Sequence, residues 1–432
     1  MENDVRSDGL KKSVWAGLIL LGLAGQLAWA VENQFFNTFM YNRITPDPRP
    51  ISWMVSATAL VATLASILMG TFSDRTRSRW GRRRPYLVLG YLAWGVFTAL
   101  YPTSAKFQPV GVAIGMAILF DCLMTFCGST ANDAAFNAYV TDVTTTVNRG
   151  RVTGVLQIMT WVAILIVYGG APMLIEVWGY EAFFYLIGAL VMVVGLASGW
   201  LLKEEGDLPP VRESYGTQLA STFRWKTLRK NRNLFLVLLA VTFFTTAQNI
   251  FFPYLLIYLQ HYIQLETLQY SVLVAAAILI GGIAMAYPFG LLVDRWGRLP
   301  VGLLAVAGEA TGLVLFSLSR SFVWLTVTGI LWLAPISAWT IATMTWTKDL
   351  FPDDKRGQFA GIYVLFYVLF PQILGSLLGG WLGARFGIPI VLEGQAGFVP
   401  TPLIFQVAGV ATLLAALPLL VIRREARKAT NG

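Results

Sequence analysis

The sequence predicts an all-α membrane protein of twelve transmembrane helices in two parallel six-helix pseudo-repeats, and three observations carry that prediction. The 432-residue chain is 56% hydrophobic and 13% charged, against about 25% charged in an ordinary soluble domain, which is too little polarity to cover a water-facing surface. Apolar stretches of roughly 20 residues, the length that crosses a bilayer's hydrocarbon, recur from Ser13 to Ile422 with short polar breaks between them. Charged loop signatures occur once in each half.

The breaks place the spans at 13–41, 51–72, 85–103, 110–140, 152–175, 182–202, 233–260, 270–293, 300–318, 322–347, 358–383 and 401–422. The formal charge of +9 points to topology, because the basic residues are one-sided on this map. Arg43, Arg49, Lys106, Arg320 and Arg385 fall in the breaks of one side, and every other Lys and Arg falls on the side of the N-terminus. The positive-inside rule then puts both termini in the cytoplasm of a multi-pass cell-membrane protein, and nucleic acid is not an expected partner. Residues 1–12 carry both signs and precede a long apolar run, which fits a retained first helix rather than a cleaved signal. Cys122 and Cys127 lie in one span on different faces, so no disulfide is expected. His261, the one histidine, falls in an expected external loop, and no metal-ligand cluster or cofactor motif is visible.

The repeats fix the arrangement of the spans. After the second span the chain reads Gly70-Thr-Phe-Ser-Asp74-Arg75, and after the eighth Gly290-Leu-Leu-Val-Asp294-Arg295. After the fourth come Asp142, Arg149, Gly150 and Gly154, and after the tenth, at identical spacing, Asp349, Arg356, Gly357 and Gly361. A weaker echo joins Glu32-Asn33-Gln-Phe35-Phe36 to Gln248-Asn249-Ile-Phe251-Phe252. The offsets of 220, 207 and 216 residues keep one order, as two parallel halves related by an axis along the membrane normal require. The expected division is an N-terminal six-helix half over 1–202, a cytoplasmic linker over 203–232 and a C-terminal six-helix half over 233–432.

On these residues the whole chain resembles the major facilitator superfamily. The loop Ser73-Asp74-Arg75-Thr76-Arg77-Ser78-Arg79-Trp80-Gly81-Arg82-Arg83-Arg84-Pro85 resembles that of the glycoside-pentoside-hexuronide cation symporters and their sucrose-transporter relatives. Gly25-Gln26-Leu-Ala-Trp29-Ala30 is similar to the first helix of the sucrose group. The resemblance implies a secondary transporter, not an enzyme, that moves a sugar or glycoside with a cation and works as a monomer among membrane lipids. In such a machine the two halves rock about a central site, so the charged loops are expected to latch and unlatch. Surface ion pairs worth about 0–1 kcal/mol each suit a contact broken every cycle. The latch candidates are Asp74, Arg75, Arg79, Asp142 and Arg149 in the first half, with Asp294, Arg295, Asp349 and Arg356 in the second. Topology determination alone is the competing reading, and it is the preferred one for Arg82, Arg83 and Arg84.

Charge inside a span is costly and usually functional. Four acids fall there, Glu32, Asp121, Asp133 and Glu309, with no Lys or Arg clearly beside them. A carboxyl in hydrocarbon without a cation favours its neutral form, so proton coupling is the expected chemistry. Asp133 leads, because it stands where the resembled family's fourth helix carries an aspartate serving the cation and sugar sites. Glu32 follows, and Asp121 is the third candidate. Asp121 lies twelve residues before Asp133, roughly 18 Å along a helix, so those two are not one compact ion site. Glu309 reads as structural. Sodium-coupled relatives carry two acids in the second helix, whereas Ala62 to Gly70 here offers Thr63 and Ser66 as its polar side chains. The family's sugar-binding arginine of the fifth helix is matched by Gln157.

A neutral sugar needs amides for its hydroxyls and flat rings to stack on. Gln26, Trp29, Asn33, Asn137, Gln157 and Trp161 in the first half, with Gln248, Asn249, Tyr254, Trp339, Thr343 and Gln372 in the second, are the substrate candidates. By the repeat offsets Asp133 corresponds to Thr340 and Glu32 to Gln248, so ion coupling is expected in the first half. The expected function is proton-coupled symport of a neutral sugar or glycoside. A multidrug or metabolite antiporter of the same fold is the alternative, and a membrane enzyme or sensor is the remote one.

Overall fold

The computed structural model describes residues 10–145, 148–202, 231–350 and 362–431. Arg356 and nearly all of the expected 203–232 linker lie outside the described residues. Eleven of the described helices are long and apolar enough to cross a bilayer, and one of them is two spans in tandem. The spans are α1 (Lys12–Ile44), α2 (Pro48–Arg75), α3 (Arg84–Lys106), α4 (Val110–Val143), α5 and α6 (within Arg149–Leu201), α7 (Arg232–Tyr262), α8 (Thr267–Trp296), α9 (Arg298–Leu318), α10 (Phe322–Thr347), α11 (Ile362–Phe386) and α12 (Leu403–Glu425). The break between α5 and α6 is Gly179, at φ 81° and ψ 167°, a backbone conformation open to a residue without Cβ. The twelve helices form two six-helix repeats.

One connection has structure that its sequence did not suggest. Between α11 and α12, β1 (Ile388–Leu392) and β2 (Gln395–Val399) pair as an antiparallel hairpin, turned by Glu393 and Gly394, both at positive φ.

Packing follows the rule for helices in lipid, where small residues let backbones meet. On α11, a Cβ at Gly375 would stand 2.4 Å from the Thr246 carbonyl oxygen and one at Gly379 2.1 Å from that of Ile250, so α11 lies directly on the α7 backbone. The outward faces are apolar. Leu60, Leu64, Leu68 and Phe72, at four-residue spacing on α2, are each about half exposed, a lipid-facing stripe rather than a defect of packing.

The two ends of the bundle are built differently. At the end carrying the arginine loop, Arg83 is 4% exposed, and its guanidinium bonds the Ser73 hydroxyl at 2.5 Å, the Asp74 carboxylate, and Asp142 at 3.3 Å, with Arg82 adding a 2.9 Å bond to Asp142. This hub ties the α2–α3 loop to the end of α4. The second half repeats it with one pair, Arg298 on Asp349. Gly81 and Gly297, each just before the helix that follows, both have positive φ, so the repeat extends to backbone shape. Arg83 is therefore a structural hub, which the sequence reading had assigned to topology alone, while Arg75, Arg79, Asp294 and Arg295 are exposed. Arg149 bonds the Thr144 hydroxyl and carbonyl in its own loop.

At the opposite end, the hairpin end, hydrogen bonds cross between the halves. The Tyr41 hydroxyl donates to the Phe398 carbonyl at 2.8 Å, and the Phe398 N–H donates to the Pro46 carbonyl at 2.8 Å. Ser56 meets Ser376 at 3.1 Å, and the Tyr254 hydroxyl donates to the Pro48 carbonyl at 3.2 Å. His261 is not a solvated loop residue: it closes α7, and its Nε2 lies 2.7 Å from Asn42 Oδ1 of α1. Arg43 and Glu393 add an exposed ion pair at 2.7 Å.

Candidate functional site

Two helices of the first half depart from α-helical winding where their acids sit. Glu32–Phe36 in α1 and Ser129–Phe136 in α4 are π-helical turns, which carry an extra residue per turn and re-aim the side chains around them, a feature frequent at functional sites. Beside them Gly25 makes the space for a polar junction. A Cβ there would stand 2.6 Å from Asn132 Oδ1 and 2.8 Å from the Tyr91 hydroxyl. Tyr91 is thereby held between the Leu21 carbonyl at 2.9 Å and Asn132 at 3.0 Å, and the Asn132 amide reaches the neighbouring Asp133 carboxyl at 3.5 Å.

These elements wall a cavity of about 470 Å³ between the halves. Gln26, Trp29, Glu32, Asn33 and Asn37 line it from α1, Thr58 from α2, and Asp121, Thr125 and Asp133 from α4. Asn249, Phe252 and Pro253 of α7 face them, with Tyr367 and Gln372 of α11. The Thr125 hydroxyl donates to Glu32 at 2.8 Å. The Glu32 and Asp121 carboxyls stand within hydrogen-bonding reach of each other, and one oxygen of each, Glu32 Oε2 and Asp121 Oδ1, is buried without a partner among the described residues. Among the described lining residues three carboxyls meet five amides and several hydroxyls, and none is Lys, Arg or His. Trp29 lies against Trp94 with ring centroids 4.8 Å apart, which holds one face of its indole.

A second cavity of about 360 Å³ adjoins the first and shares Asn249, Phe252 and Tyr367 with it. Trp161 and Tyr168 of α5 wall it against Gln248, Phe251, Phe316 and Trp332 of the second half. Trp161 lies over Gly282 of α8, where a Cβ would meet its ring at 2.7 Å.

The structure thus gathers Glu32, Asp121 and Asp133 with Gln26, Trp29, Asn33 and Asn249 in one chamber and puts Gln248 next door. Asn137 and Gln157 are exposed and are not among the lining residues; the Asn137 amide bonds the Asp133 backbone at 3.1 Å. Trp339 is 3% exposed and stacked on Phe244 at 4.2 Å and 8°, in a packed core of the second half, so its ring serves packing and not the chamber. Thr343 bonds the Trp339 carbonyl one turn away, and Tyr254 belongs to the closed hairpin end. Asn37, Thr58 and Thr125 were missed. Asn37 carried a signal, since it continues the Gln26, Asn33 face of α1 by one turn, whereas Thr58 and Thr125 look like any hydroxyl in a span. Glu309 is fully buried with the Gln248 amide beside it.

Two six-helix halves closing on a polar chamber within a multi-pass membrane protein define a secondary transporter. The family model described as Major Facilitator Superfamily matches residues 14–285 and 238–432, and the chain belongs to that superfamily. Solved structures share the fold. A D-xylose-proton symporter superposes with TM-score 0.70 at 14% identity, over 94% of this chain and 96% of that one. The nucleoside transporter NupG does so with TM-score 0.69 at 13% identity, over 94% and 98%. A bacterial homologue of the human lysosomal transporter Spinster, in an inward-facing and occupied conformation, gives TM-score 0.70 at 14% identity, over 96% and 98%. A search of curated proteins gave no match.

Proposed function

We propose that the chain is a proton-coupled symporter of a neutral sugar or glycoside, working by alternating access. The chamber carries the reading: carboxyls, amides and a one-faced indole, without a cation among its described lining residues, suit hydroxyls and a proton better than an anionic solute. Glu32 and Asp121 are the proton-sharing pair, since two carboxyls in contact without a cation are stable together when a proton lies between them. Asp133, which lines the same chamber, couples that pair to the solute directly. Gln26, Asn33 and Asn249 hold hydroxyls, and Trp29 supplies the stacking face. The arginine end is cytoplasmic, with 1–202 and 233–432 as the rocking halves and 203–232 as their tether, and the structure is the state sealed toward the outside. The D-xylose-proton symporter and the nucleoside transporter of the same fold carry hydroxylated solutes, which supports the class.

The test is uptake of a labelled sugar panel into proteoliposomes under an imposed pH gradient, with and without sodium. Accumulation driven by the proton gradient alone is expected, and a strict sodium requirement would defeat the coupling assignment. The apolar second cavity favours one other reading, a multidrug:proton antiporter of the same fold. Export of apolar cations without sugar uptake is the result that reading requires.

A further inference from the structure

The two cavities differ in chemistry and touch at three residues, so a single solute spanning both would meet two kinds of wall. The first is polar on its α1, α2 and α4 sides. The second has no charged side chain among its described lining residues, and the polar groups of those residues are few: the amides of Gln248 and Asn249, the Tyr168 and Tyr367 hydroxyls and the indole N–H groups of Trp161 and Trp332. Phe251 and Trp332 meet edge to face there at 5.2 Å and 84°, and Tyr168 and Phe252 lie 6.3 Å apart, an aromatic box rather than a slot for hydroxyls. Trp332 is 3% exposed, and its indole N–H has no partner among the described residues. Asn249, whose amide N–H is held by the Thr245 carbonyl at 2.9 Å, stands at the junction of the two cavities.

We propose that the transported solute has two parts: a hydroxylated sugar in the polar chamber and, joined to it, a flat ring seated in the aromatic cavity. The solute class is then an aryl glycoside or a nucleoside, in both of which a sugar carries a planar ring. This rests on the reading of the chain as a carrier of sugars or glycosides and narrows it. Aromatic faces bind a flat ring by area and edge-to-face contact, while a methyl group in the same place buries little surface. Phe252 and Tyr367, common to both cavities, mark where the glycosidic bond lies.

Uptake of radiolabelled methyl and phenyl β-glycosides of glucose, galactose and xylose, of uridine and adenosine, and of tetraphenylphosphonium is measured in proteoliposomes holding the full chain. A ring-bearing probe is expected to have a KM about tenfold or more below that of the matching methyl glycoside. Gly329→Leu fills the cavity, since a Cβ there meets nothing nearer than Leu273 at 3.7 Å, and is expected to collapse that ratio toward one. Ala277→Phe, on the facing wall, does the same if Gly329→Leu fails to fold. Phenyl glycosides taken up without nucleosides identify the first source of the ring, and the converse identifies the second. Equal KM values for methyl and ring-bearing probes, or a ratio untouched by both filling variants, overturn the two-part solute and leave the sugar carrier standing. Uptake of no sugar-bearing probe, with or without tetraphenylphosphonium transport, overturns both.

Discussion

The two halves share a frame and differ in what they put inside it. Each ties its α2–α3-type loop to the end of the following fourth helix with arginine and aspartate, through Arg82, Arg83 and Asp142 in one and Arg298 and Asp349 in the other. Each turns the loop through a glycine of positive φ. The chamber walls are not repeated. The first half contributes three acids to the polar cavity, while the second contributes amides, aromatic rings and no acid from its described lining residues. Its own intramembrane acid, Glu309, is buried in a helix-packing face. Duplication preserved the mechanics of the ends, and divergence was concentrated at the centre, where the two halves do different work.

The comparison breaks most visibly at the acids. Asp133→Asn is expected to abolish pH-driven accumulation while leaving solute exchange intact, measured as uptake against counterflow in the same vesicles. Glu309→Gln is expected to keep accumulation, and its loss would mean that coupling is shared between the halves. A large effect on stability is expected at the hub. Arg83→Ala takes the buried guanidinium away from Asp74 and leaves Asp142 its bond to Arg82, and is expected to cost about 3 kcal/mol, whereas Arg298→Ala breaks a more exposed pair and costs about 0–1 kcal/mol. Thermal unfolding of the purified variants separates the two, and equal losses would show that the repeat is energetically symmetric. A smaller contrast is expected between indoles. Trp29→Ala raises the KM for sugar about tenfold, a loss of about 1.4 kcal/mol, while Trp339→Phe leaves KM unchanged because that ring stacks on Phe244 away from the chamber. The smallest effect is expected from Asn42→Ala, which removes the cross-half bonds to His261 and Gln260 and speeds opening of the hairpin end by a few-fold, read as the rate of counterflow.

Much of this was legible in the sequence, and the reason is the solvent. Lipid forces long apolar runs and makes every interruption visible, so twelve spans and the two-half arrangement follow from Ser13 to Ile422 and from the repeated loops. What escaped depended on contacts between helices. Glu32 and Asp121 stand 89 positions apart in the chain, and nothing along either helix says that their carboxyls meet. Trp339 looked like Trp29 because an aromatic in a span reads alike whether it packs on Phe244 or lines a cavity. Arg83 was one of three consecutive arginines, and its burial depends on Ser73, Asp74 and Asp142 converging from two other helices. The β-hairpin was hidden because Ile388 to Val399 is a short, mixed segment with a turn at Glu393-Gly394 and no strong alternation.

The hairpin end also sets how the closed state responds to its surroundings. Of its cross-half links, the Arg43–Glu393 pair is about half exposed on both sides and is weakened by screening at physiological ionic strength. The bonds of Phe398 to Pro46 and Tyr41, of Tyr254 to Pro48 and of Ser56 to Ser376 join neutral groups, and added salt leaves them nearly untouched. A clasp made this way keeps its grip as the ionic strength around it rises or falls, so opening of that end is insensitive to the salt of the medium it meets.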